Sequence, residues 1–196
     1  LTSIYSDSLF IVNSGGGIIS LSYKAEGNEI RGAISLESDS GEVRIGSEGG
    51  TTLFTGTFLD ARSRFKQSKL QLSGFRSNTS FGSRISLAKD AVINLGPNSL
   101  WQSDLEVIAG GINLNGIETF SKLHLEKTGD NIDNGRGNNQ IKGELTAIST
   151  GGGFLQLAFR DSNNVFHKNI RVHAVAGSGI RFGAGEGRSE IKEGFS

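Results

Sequence analysis

Residues Leu105–Gly116 read LEVIAGGINLNG, and this stretch decides the fold. In Leu105-Glu-Val107, and again in Ile112-Asn-Leu114, apolar and polar side chains alternate. Period two is the pattern of a strand with one face in a core and the other in water. Gly110-Gly111 separates the two runs with residues that favour a turn. Outward from this stretch the same unit recurs as Ile34-Ser-Leu36, Val43-Arg-Ile45, Leu70-Gln-Leu72, Ile85-Ser-Leu87, Leu123-His-Leu125, Leu155-Gln-Leu157 and Ile170-Arg-Val172. Gly15-Gly16-Gly17, Gly49-Gly50, Asn134-Gly135 and Gly151-Gly152-Gly153 lie between the runs. The strands start about 12 residues apart, which suits a β-sandwich or barrel. It equally suits a solenoid with coils of roughly 20 to 25 residues. Two features favour the solenoid. The only Asn-Gly or Asp-Gly hairpin dipeptides are Asn115-Gly116 and Asn134-Gly135, so the strands show little sign of pairing through two-residue turns. The inward residues are mostly Ile, Leu and Val, of similar size, as stacked equivalent positions require. The expected fold is therefore all-β, a parallel β-helix, with almost no helix.

The 196 residues suffice for one domain, and 1–196 is read as a single β-helix segment. Hydrophobic residues make up 35%, which predicts a core only one or two side chains wide. Lys+Arg 20 against Asp+Glu 20 gives no net charge, which argues against nucleic-acid binding. No apolar run approaches the roughly 18 residues of a membrane span. With Cys 0, disulfides, thiolate metal sites and a Cys nucleophile are excluded. Thr128–Gln140, TGDNIDNGRGNNQ, reads as the longest loop. The Gly-rich, charged tail from Gly177 to Ser196 is expected to fray.

Three stretches carry a family resemblance. Glu144–Phe159, ELTAISTGGGFLQLAF, resembles a coil of the high-molecular-weight adhesins of Haemophilus type, which are filamentous-haemagglutinin-like proteins exported by two-partner secretion. Ser83–Ser99, SRISLAKDAVINLGPNS, and Asp104–Gly116 are similar. The resemblance covers Asn78 to Lys192. It implies a right-handed parallel β-helix on the bacterial surface that attaches to host cells, in some members by recognising sialylated glycans. It also implies export through an outer-membrane two-partner transporter. The large adhesins of this group are rich in Asn-x-Ser/Thr acceptors. Here Asn78-Thr-Ser80 is the one such site, so Asn78 is the candidate for glycosylation. The family's secretion domain is not in this stretch, so it is read as an internal, distal piece of a larger secreted adhesin.

The strongest local charge feature is Arg62, Arg64, Lys66, Lys69 and Arg76, interleaved with Phe65 and Phe75. On a strand, residues 62, 64 and 66 point the same way. Such a row suits an acidic sugar, because the guanidinium fork matches a carboxylate in two bonds. It equally suits a solvated strand face whose charges discourage edge pairing. Trp101, the only Trp, fits either the apolar face of a sugar ring or the cover of a coil end.

Signs of metal or catalytic chemistry are weak. Asp130–Asn139 offers oxygens of the kind Ca²⁺ takes, but lacks the EF-hand spacing and reads as a turn. His167 and His173 would lie about 20 Å apart on an extended strand, too far to share a metal. Carboxylate pairs such as Asp104 with Glu106 and Asp130 with Asp133 occur because carboxylates are common, and none stands out by spacing as a glycosidase pair. No Gly-x-Ser-x-Gly elbow occurs. The expected function is attachment to host cell-surface glycans or glycoproteins, without catalysis, cofactor or metal. The alternatives are a polysaccharide lyase or hydrolase on the same scaffold, and a passive stalk.

Overall fold

A computed structural model of the chain describes residues 3–24, 27–46, 48–57, 59–63, 68–131, 133–159, 163–183 and 185–196. Among them there is no helix, and twenty-four strands follow one another in coils. The first coil holds β1 (Ile4–Tyr5), β2 (Leu9–Asn13) and β3 (Ile18–Leu21). The second holds β4 (Asn28–Ile30), β5 (Ile34–Ser38) and β6 (Gly41–Ile45). The third holds β7 (Thr52–Phe54), β8 (Leu59–Ser63) and β9 (Ser68–Leu72), and the fourth β10 (Phe75–Ser77), β11 (Ser83–Ser86) and β12 (Val92–Leu95). Next come β13 (Ser99–Trp101), β14 (Leu105–Ala109) and β15 (Gly111–Leu114), then β16 (Ile117–Thr119) and β17 (Leu123–Lys127). The last coils hold β18 (Gln140–Ile141), β19 (Leu145–Ser149) and β20 (Phe154–Gln156), then β21 (Asn163–Phe166), β22 (Ile170–Ala174) and β23 (Gly179–Arg181), and finally β24 (Arg188–Ile191).

Each strand pairs in parallel with its equivalent one coil away, which makes the chain a parallel β-helix of about seven turns. The first face is a nine-stranded sheet from β1 to β24. The second is an eight-stranded sheet from β2 to β22. The third is a five-stranded sheet from β3 to β15, and resumes as the pair β20–β23. Coil length varies. Leu9 faces Ile34, 25 positions on, whereas Leu105 faces Leu123, 18 positions on. The difference is taken up in the connections, because the strands keep their register.

Register explains why the inward residues resemble one another. Leu9, Ile34 and Leu59 stack on the second face, and Leu105, Leu123, Leu145 and Ile170 continue the column after the small Ser83. On the third face the column is Ile19, Val43, Leu70, Ile93 and Ile112. Leu59, Ile93 and Leu125 are fully enclosed, and each such side chain contributes about 1.5–3 kcal/mol of burial. Buried amides satisfy the corner that leads into the first face. The Asn139 side-chain amide donates to Asn164 Oδ1 at 2.9 Å, and the Asn164 amide donates to the Leu157 carbonyl at 2.9 Å.

The loop after β17 behaves differently from an ordinary excursion. It is irregular, as expected, yet it fills the place of the missing third-face strand. Asp133 N donates to the Phe154 carbonyl at 3.0 Å, and Gly137 bridges in parallel to Asn115. Two local expectations are corrected. The Gly177–Ser196 tail carries β23 and β24, both paired to the coil before them. In Leu155-Gln-Leu157 all three residues are buried, because the third face bends there and Gln156 does not point to water.

Candidate functional site

The outward column of the third face runs Ser20, Arg44, Gln71, Asn94, Asn113. Three consecutive coils thus present a primary amide at one position. Asn113 Nδ2 donates to Asn94 Oδ1 at 2.8 Å, and Gln71 Nε2 donates to Ser73 Oγ at 3.1 Å. Asn113 and Asn115 also tie down the loop of the next coil. Their Oδ1 atoms accept from the backbone N–H of Asn134 and of Arg136, both at 2.7 Å.

Beside this column, where the third face meets the first, lies an open polar groove. It consists of two adjoining depressions, of about 650 Å³ and about 410 Å³, with Gln71, Pro97 and Asn98 common to both. Asn94, Asn113, Asn115 and Arg136 line one, and Arg76, Glu48 and Thr51 line the other. The concavity comes from residues without side chains. At Gly96, with φ +107°, a Cβ would sit 1.9 Å from the Asn115 carbonyl oxygen of the next coil. Only Gly lets the coils close up at that corner.

The surface chemistry is that of amides and arginines. A primary amide both donates and accepts, as a sugar hydroxyl does. Arg76 and Arg136 have no carboxylate partner among the described residues, whereas Arg31, Arg44 and Arg84 are held by Glu29, Glu42 and Glu106 at 2.8, 2.7 and 3.2 Å. Among the described residues, Glu48 is the one carboxylate lining either depression.

The basic row read from the sequence is dispersed. Arg62 is on the second face, its backbone opposite Glu37 and Ser86, and its side chain is outside the described residues. Arg64 and Lys66 also lie outside them. Lys69 is on the third face with its Nζ 3.2 Å from Glu42. Burial pushes the Glu42 carboxyl up, but hydrogen bonds from Arg44 and Lys69 outweigh it and hold the group below its ordinary value. Among the described side chains of the row, Arg76, on the first face, is the one that reaches the groove. Asn78 is exposed, just after β10.

Trp101 is not at the surface. It is 0% exposed, at the end of an internal aromatic stack in which Phe54 and Phe75 lie 5.9 Å apart and Phe75 and Trp101 5.2 Å apart. It presents no ring face to a sugar, and its place in the core corrects the surface reading. Sequence reasoning missed the amide column because Gln71, Asn94 and Asn113 are unremarkable polar positions until the register aligns them. Their common place at the polar centre of apolar-polar-apolar triplets, one coil apart, was the available signal.

The remaining polar groups have structural tasks. Asp104 Oδ1 accepts from Ser121 Oγ and from the Lys122 backbone N–H, and Glu106 pairs with Arg84. Asp130 Oδ1 accepts from the Gly152 backbone at 3.0 Å. Asp133 points inward, its Oδ1 3.4 Å from Lys127 Nζ, and Lys127 donates to the Gly110 carbonyl at 2.7 Å. Burial pushes the Asp133 carboxyl up to about 7, against the pull of Lys127 and of the Ile112 backbone. Where the loop's oxygens would have faced a cation, an ammonium already stands. His167 Nε2 lies 3.3 Å from Gln140 Oε1. Among the described residues no three His, Cys, Asp or Glu side chains gather as a metal site. No family model, no curated protein and no solved structure matches this chain.

Proposed function

We propose that this chain attaches a bacterial cell to host cell-surface glycans, binding them in the corner groove without chemical change. The observation that carries the reading is the groove itself: an open shelf of side-chain amides and of arginines that have no carboxylate partner among the described residues, on a laddered coil. Amides and guanidinium groups held by a backbone ladder lose little freedom on binding, so weak individual contacts are not offset by ordering. Many copies on one cell would add avidity. The resemblance of residues 144–159 to surface adhesins supports the bacterial surface as the location and a two-partner transporter as the route.

The test is a glycan array probed with the chain and with the Asn94→Ala/Asn113→Ala variant. Binding that falls at least about tenfold in the variant, the loss of one or two hydrogen bonds, supports the groove. Binding to no glycan would leave a passive spacer. Binding that survives this variant and Arg76→Ala would place the site elsewhere. Incubation with acidic polysaccharides is expected to release no new reducing ends, and their appearance would overturn the non-catalytic reading.

A further inference from the structure

We infer that the groove takes an extended acidic glycan laid parallel to the coil axis, one sugar to a coil, and not a single terminal sugar in a pocket. The inference rests on the glycan reading above and adds the ligand's shape, direction and charge.

Three observations carry it. First, Gln71, Asn94 and Asn113 are direct register partners on neighbouring strands, so their amides repeat along the axis at the interstrand spacing of about 4.8 Å. That step is close to the length of one sugar unit in an extended chain. A glycan along the column meets the same donor–acceptor group at each unit, and a glycan across it meets only one. Second, the two depressions adjoin through Gln71, Pro97 and Asn98, so the concavity spans several coils and closes around none. A terminal sugar needs a pocket that wraps it, and this surface offers a trough. Third, Arg76 lies just after the corner at Gly74 and Arg136 just before the one at Gly137, three interstrand steps away, or about 14 Å along the axis. Both guanidinium groups lack a carboxylate among the described residues. A chain with several acidic sugars along its length brings a carboxylate within reach of each guanidinium, and the amides between them take the other units. Glu48, the carboxylate in the trough, lies close enough to Arg44 for its charge to act there.

The experiment is titration calorimetry of the intact chain with oligomers of alternating glucuronate and N-acetylglucosamine, two, four and six units long. Neutral glucose oligomers of equal length serve as the comparison. Affinity is expected to rise at least about tenfold from two to six acidic units, and the neutral series to bind at least about tenfold more weakly at low salt. Arg76→Ala and Arg136→Ala, both at exposed positions, are each expected to lower six-unit affinity about tenfold, and together to abolish the gain with length. Circular dichroism checks that both variants keep the β-helix. Equal affinity for two and six units, equal binding of neutral and acidic chains, or insensitivity to both Arg variants would overturn the inference. So would a ligand found on the array when no acidic oligomer binds. In all these cases the glycan reading stands wherever the array finds a ligand, and an array with none overturns both.

Discussion

Lys127 and Asp133 put two ionisable side chains where neighbouring coils put hydrocarbon or a small residue. Lys127 stacks between Ala109 and Ser149, and Asp133 lies level with Leu155. Because burial raises the Asp133 carboxyl to about 7, from 3.8, the native state holds a proton that the unfolded chain has released anywhere between those values. Stability from this group is therefore fully present below pH 3.8 and is lost as pH rises to about 7. Denaturant midpoints should show that fall between pH 4 and 7, and in Asp133→Asn it should be largely gone. At pH 8, Lys127→Met should cost about 3 kcal/mol by stranding the carboxylate, and adding Asp133→Leu should restore most of it. Trp101 makes a second residue-scale prediction. Fully enclosed beside Phe75, it should emit at short wavelength, resist quenching by iodide and stay silent when a glycan binds. A long-wavelength, quenchable emission would contradict its burial. Its inward place was legible in principle. Ser99, Leu100 and Trp101 alternate, and Phe54, Phe75 and Trp101 recur at about a coil's length. A lone aromatic, taken without its neighbours in other coils, gives no such sign.

At the level of elements, the alternating triplets became strands: Ile34-Ser-Leu36 in β5, Val43-Arg-Ile45 in β6 and Leu105-Glu-Val107 in β14. Period two reports which side chains face inward, and that was enough to read the all-β coil. It does not report which residue stacks on which, because coils of 18 to 27 positions share no fixed repeat. The groove depends wholly on that alignment, so it stayed hidden, and among the described residues only Arg76 of those chosen from the sequence lies in it. Corners also part the described members of the basic row. Arg62, Lys69 and Arg76 lie close in sequence, but two corners separate them onto three faces. Corners are thus the elements that shape the site. Gly96→Ala would place a Cβ against the Asn115 carbonyl in a left-handed backbone, so it should cost at least about 2 kcal/mol and weaken glycan binding with it. Thermal unfolding and the array assay measure the two effects separately. Retained stability would mean that the corner can spread.

For the whole molecule, each coil touches only its neighbours, and stability should follow position along the stack. β14 and β17 alternate buried and half-buried residues throughout, while β3 and β24 leave most of theirs exposed or half-exposed. Hydrogen exchange should be slowest over Leu105–Lys127 and fastest in the terminal strands, and uniform protection would show that the stack opens as one unit. The parallel ladder has a mechanical corollary. Its bonds lie along the coil axis, so a pull on the two ends loads them one after another and never all together. If the chain tethers a cell as proposed, that cell in flowing liquid would feel a series of small yields, each paying out roughly 60 to 95 Å of slack from a coil of 18 to 27 residues, before the anchor itself had to break.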